Sequence, residues 1–121
     1  MLTGTAGFVD GEEYPLAVGA TVVIGRSRSC DISLQRCKTW LALDESERDA
    51  AQDFKTVSRK HARISCYDAD NIEIEDLSSN GTFVDGERID RVVISDLRDR
   101  GHELLLGTRE TFRLEWRDDE D

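Results

Sequence analysis

This chain is poor in the residues that mark several protein classes. Its 121 residues include three cysteines and one proline. Cys30, Cys37 and Cys66 are odd in number, widely spaced and form no Cys-x-x-Cys pair. That pattern argues against a disulfide framework and against a structural zinc site, and leaves buried, reduced thiols as the expectation. The single proline, Pro15, suits the edge of a sheet. No apolar run approaches the length that crosses a bilayer, so a membrane protein is not expected. The opening "MLTGTAGFVDGEEY" lacks the basic lead and long apolar block of a secretory signal, which makes the cytoplasm the default location.

Positive charge is scarce as well. Sixteen Lys and Arg face 26 Asp and Glu, a formal net charge of −10. Diffuse attraction to nucleic acid or anionic lipid is therefore disfavoured, and an anionic ligand has to be held locally. The length fits one domain with its own core, expected over residues 1–116, with an acidic tail at 117–121. An isolated monomer without cofactor or metal is the simplest reading of such a piece.

What is present is β-type patterning. Short alternating or apolar runs, broken by Gly, Asp, Asn and Ser, place strands near 7–9, 14–18, 21–24, 31–34, 62–67, 71–76, 82–84, 88–89, 92–94, 103–106 and 111–116. In "NIEIEDL" the alternation sets Ile72, Ile74 and Leu77 near one face, with Glu73 and Glu75 toward water. In "TFRLEW" it groups Phe112, Leu114 and Trp116 in the same way. About eleven short strands at turn-punctuated intervals predict an all-β fold, an antiparallel β-sandwich.

The stretch "QRCKTWLALDESERDAAQDFKT", residues 35–56, departs from this pattern. Asp44 followed by Glu47 has the form of a capping box, and Ala50, Ala51 and Phe54 make a short apolar stripe, which predicts one short helix at about 45–54. Trp40, Leu41, Leu43 and Phe54 either pack on the sandwich or offer an apolar contact to a partner.

Three polar stretches fall where strands end. They are "IGRSRSCDISL", "VSRKHARI" and "DLSSNGTFVDGERI". In a sandwich, loops from different strands gather at one end, so these three can converge. A guanidinium, a serine hydroxyl and backbone N–H groups are the donors that a tetrahedral phosphate dianion requires. A phosphorylated side chain brings about −1.5 to −2 charges and three acceptor oxygens. Each charge-assisted hydrogen bond contributes on the order of 1.5–3 kcal/mol. That outweighs repulsion from acids lying beyond a Debye length of about 8 Å.

The three blocks, in this order, resemble the signature of forkhead-associated (FHA) domains, β-sandwiches that bind phosphothreonine. The resemblance runs from about Gly19 to Trp116. It implies a non-catalytic module whose partner is a threonine-phosphorylated protein or a segment of its own parent chain. By the same resemblance, Arg26 and Ser58 contact the phosphate, Arg59 touches phosphate or peptide backbone, and Asn80 holds the ligand backbone with Ser79 beside the threonine methyl. Gly25 and Gly81 shape the turns, and His61 braces the loops from behind. The family runs with little delay from the "CDISL" strand into the serine block, so segment 35–56 is an insertion that leaves the flanking preference unreadable.

Ser58 and His61 invite a nucleophile-and-base reading. However, no G-x-S-x-G elbow surrounds the serine, and neither a P-loop, an H-E-x-x-H motif nor a complete EF-hand appears. No enzyme is expected. The alternative to phosphate binding is a phospho-independent scaffold that uses the insertion or a sheet face.

Overall fold

The computed structural model describes residues 1–117; the acidic tail expected at 117–121 lies outside the described residues from 118 onward. Eleven strands form two facing sheets. In chain order they are β1 (Leu2–Ala6), β2 (Glu13–Tyr14), β3 (Thr21–Gly25), β4 (Ile32–Ser33), β5 (Ala62–Asp68), β6 (Asn71–Asp76), β7 (Thr82–Val84), β8 (Glu87–Ile89), β9 (Arg91–Ile94), β10 (His102–Leu106) and β11 (Glu110–Leu114). One sheet has the order β2-β1-β11-β10-β7-β8 and the other β4-β3-β5-β6-β9. The alternation that predicted the strands sets the core: Ile72 and Ile74 of β6 and Phe112 and Leu114 of β11 are fully buried between the sheets, beside Ile24, Ile64, Leu104 and Leu106. Leu77 and Trp116 lie beyond the ends of their strands, and Leu77 is exposed rather than sharing the core face.

Three strand expectations are corrected. Of residues 14–18, only Tyr14 lies in a strand, the two-residue β2. Residues 7–9 form a 3-10 turn, because the buried Glu110 side chain accepts the N–H groups of Phe8 and Val9 at 2.7 and 3.2 Å and draws the backbone out of a strand. The strand in this region is β1, which pairs with β2 and β11; its sequence LTGTA carries too little apolar signal to read. The sandwich is also not purely antiparallel. β4 runs parallel to β3, with Ile24 opposite Ile32, since the 26–31 loop doubles back and the Asp31 carboxylate accepts the Val23 N–H at 2.8 Å.

The insertion holds three short helices rather than one: α1 (Lys38–Leu41), α2 (Glu45–Ala50) and α3 (Gln52–Lys55). The capping box is present, with Asp44 accepting from Glu47 N–H and Glu47 accepting from Asp44 N–H. The helix breaks at Ala51 (φ −78°, ψ 83°), and the turn brings Phe54 onto Trp40. Their rings stack 3.7 Å apart at 12°, and Phe8 meets both edge-on. Trp40 and Phe54 are therefore buried in the main core, and Leu43 packs against it. Only Leu41 of that apolar set faces solvent, so the insertion is a padded extension of the sandwich.

Candidate functional site

At Gly25, the last residue of β3, the chain approaches another segment closely. A Cβ here would lie 2.2 Å from the Arg59 carbonyl oxygen, so only glycine admits the contact. Arg26 N–H donates to the Ser58 carbonyl at 3.0 Å, and Ser27 N–H donates to the Arg59 carbonyl at 3.1 Å. Two loops far apart in sequence thus form one rim.

The Arg26 side chain is held on two sides. Its Nε donates to the Val57 carbonyl at 2.9 Å, and its guanidinium carbon lies 5.9 Å from the centre of the Phe54 ring, within reach of a cation–π contact. Its terminal nitrogens have no hydrogen-bond or ion-pair partner among the described residues. Together with Ser27, Arg28, Gln35 and Arg59 it lines an open cleft of about 420 Å³. None of these three arginines makes an ion pair with a described residue. In a chain of net charge −10, that is a local concentration of uncompensated positive charge.

Behind the rim stands His61, fully buried. Its Nδ1 accepts the Ser58 N–H at 3.0 Å, so the ring proton sits on Nε2, which donates to the Gly81 carbonyl at 2.8 Å. One imidazole therefore ties the serine loop to the Asn-Gly loop. Burial holds its pKa below the ordinary value, with the Gly81 hydrogen bond opposing in part. Ser58 Oγ accepts the Ser79 N–H at 3.2 Å, which leaves its own hydrogen for a ligand. The Asn80 amide donates to the Thr56 carbonyl at 2.9 Å and retains its oxygen and one further hydrogen.

The 78–82 turn is built around Asp76. Its Oδ1 accepts from Ser78 N–H at 3.0 Å and from the Ser78 and Thr82 hydroxyls, and Ser78 Oγ in turn accepts the Gly81 N–H at 2.8 Å. Burial pushes the Asp76 carboxyl up, but these hydrogen bonds outweigh it and keep its pKa below the usual range. Gly81 has φ +104°, the left-handed region that an Asn-Gly turn anticipates.

The structure brings together Arg26, Ser58, Arg59, Ser79 and Asn80, with Gly25, His61 and Gly81 beneath them. Only Arg26 and Arg59 of this set line the cleft; Ser58, Ser79 and Asn80 adjoin it through the hydrogen bonds just described. Sequence reasoning missed Gln35, Phe54, Val57 and Asp76. Asp76 had a local signal, the Asp-x-Ser spacing of an Asx turn. The other three belong to or border the insertion; Phe54 was expected to pack on the sandwich or meet a partner, and nothing in the pattern tied Gln35, Phe54 or Val57 to the cleft. A second hollow, about 460 Å³, opens near the far end of β7 between β8 and β9. Its rim carries Asp85, Glu87 and Asp96 with Arg100 and His102, and Asp85 and Asp96 already engage both of those basic groups.

The FHA domain model matches residues 22–100, well over half of the 121-residue chain. No curated protein sequence matches significantly. Among solved structures, the FHA domain of the CT664 protein from Chlamydia trachomatis is 26% identical, with 96% of each chain covered and a TM-score of 0.67. Mycobacterium tuberculosis EmbR, solved in complex with a low affinity phosphopeptide, is also 26% identical; 99% of this chain aligns with 26% of that one at a TM-score of 0.61. The N-terminal FHA domain of S. cerevisiae Rad53p, in complex with a phosphothreonine peptide, is 17% identical over 86% of this chain and 73% of that one, with a TM-score of 0.56, and shares the fold. With three ordered sequence blocks on this sandwich and a family match across most of its length, the chain belongs to the FHA domain family.

Proposed function

We propose that this domain is a non-catalytic module that binds a threonine-phosphorylated segment of a partner protein or of its own parent chain. Arg26, Ser58 and Arg59 take the phosphate, and Asn80 holds the neighbouring peptide backbone with Ser79 beside the threonine methyl. The observation that carries this reading is the shared rim: the adjacent carbonyls of Thr56 and Val57 fasten Asn80 and Arg26, and Ser58 stands next to them. Every group turned to the cleft is a donor or has one to spare, as a dianion requires. EmbR and Rad53p, each solved with a phosphopeptide, support the ligand class.

The same geometry disfavours catalysis. His61 spends both ring nitrogens on backbone groups, so Ser58 Oγ has no base at hand. Three free, buried thiols suit a reducing cytoplasmic setting. Burial of Trp40 and Phe54 favours this reading over scaffold binding through the insertion, where Leu41 is the exposed member of the apolar set. The test is titration with matched peptides carrying phosphothreonine, phosphoserine or plain threonine. Micromolar binding, about −8 kcal/mol, is expected for the first, and equal affinity for plain threonine would overturn the assignment.

A further inference from the structure

Seven of the thirteen arginines, all outside the cleft, form ion pairs with carboxylates. The cleft concentrates three that do not, Arg26, Arg28 and Arg59. Their summed charge exceeds what one phosphothreonine neutralises, about −1.5 to −2. Roughly one positive charge is left over.

Arg28 is the surplus group, and it is placed rather than loose. Its Nε donates to Gln35 Oε1 at 3.0 Å, while Gln35 Nε2 donates to the Arg26 carbonyl at 2.9 Å. One amide thus fixes the Arg28 guanidinium relative to the backbone of Arg26. Arg36 secures the same loop from outside by donating to the carbonyls of Arg28, Cys30 and Asp31. Asp31, the acid closest in sequence, turns its Oδ2 to the Val23 N–H of β3 at 2.8 Å and forms no ion pair with a described arginine. Holding an exposed arginine in this way costs side-chain entropy and gains no carboxylate partner among the described residues. A pre-set donor group of this kind lowers the ordering cost when an anion arrives.

We propose that the cleft accommodates two anionic groups of one ligand. The first is the phosphothreonine at Arg26, Ser58 and Arg59, so the inference rests on the function proposed above. The second is a carboxylate or a further phosphate on a nearby residue of the same segment, held by Arg28 with Gln35 as its positioning residue. The preferred target is a phosphothreonine in an acidic or multiply phosphorylated stretch, even though the domain itself is acidic.

Titration calorimetry tests this with three peptide frames: one phosphothreonine among neutral residues, the same with aspartates on either side, and the same with a second phosphothreonine. The added anions are expected to tighten binding about fivefold or more. The aspartate and second-phosphate arms report which source of charge is preferred. Arg28→Gln removes the difference between frames, and Gln35→Leu reduces it, with the wild-type gain shrinking as salt is raised. Equal affinity for neutral and anionic frames, or a gain that survives Arg28→Gln, overturns the second-anion site while leaving the first intact. Absence of binding by any phosphopeptide brings down the phosphate reading as well.

Discussion

His61 Nδ1 accepts the backbone N–H of Ser58 at 3.0 Å, and that bond exists only while the nitrogen is unprotonated. Burial has already lowered the pKa of this histidine from the ordinary 6.5. The unfolded chain therefore takes up the proton more readily than the folded one, so stability falls as pH drops through 6.5 and levels off below the folded value. Melting temperature measured against pH is expected to show this loss, and His61→Ala to flatten it. The substitution itself destabilises by on the order of 3 kcal/mol, because it leaves a cavity and strips partners from Ser58 N–H and the Gly81 carbonyl. A melting curve insensitive to pH between 7 and 5 in the wild type would contradict a neutral, buried His61.

In the function proposed above, Arg26 serves the Val57 carbonyl through Nε and a ligand through its terminal nitrogens. A lysine has one nitrogen and no fixed fork. Arg26→Lys is expected to lose at least about tenfold in phosphopeptide affinity, a penalty of about 1.4 kcal/mol or more. Arg26→Ala should nearly abolish binding. Fluorescence anisotropy with a labelled phosphothreonine peptide separates the two variants, and wild-type affinity in Arg26→Lys would remove the bidentate role.

Under the proposed function, Ser58→Ala deletes one hydroxyl donor to the phosphate, and it also removes the acceptor of the Ser79 N–H. Affinity is expected to fall by about 1.5–3 kcal/mol, the range for a hydrogen bond to a charged group. Stability should hardly change, since the Ser79 N–H is exposed and can turn to water. A thermal melt alongside the titration checks both halves.

Phe54 and Trp40 stack on each other, yet only Phe54 also flanks the Arg26 guanidinium. Replacing either by alanine is expected to cost about 3–5 kcal/mol of stability. Their effects on binding should diverge. At a temperature where both variants remain folded, Phe54→Ala weakens phosphopeptide binding more than Trp40→Ala does. Equal binding losses would mean that the insertion acts on the site only through general stability.

The strands were readable because burial on one face writes itself into a sequence at a period of two, as in Ile72 and Ile74 or Phe112 and Leu114. β1 escaped notice since threonine and glycine fill three of the five positions of LTGTA, and its place between β2 and β11 depends on partners far along the chain. The 3-10 turn at Gly7–Val9 was equally hidden, being imposed by a carboxylate from residue 110. The helix in the insertion had a sound start at Asp44, but its break at Ala51 answers to the packing of Phe54 on Trp40.

By itself the sequence determined the two-layer β architecture, the three donor-bearing loops and the residues expected at the rim, because strand period and turn chemistry are local properties. The tertiary structure alone decided how those loops are fastened: through His61 between two backbones, through the Thr56 and Val57 carbonyls, and through Gln35 and Phe54 of the insertion. Those bonds join residues whose separation along the chain carries no pattern, and only the closed fold makes them neighbours.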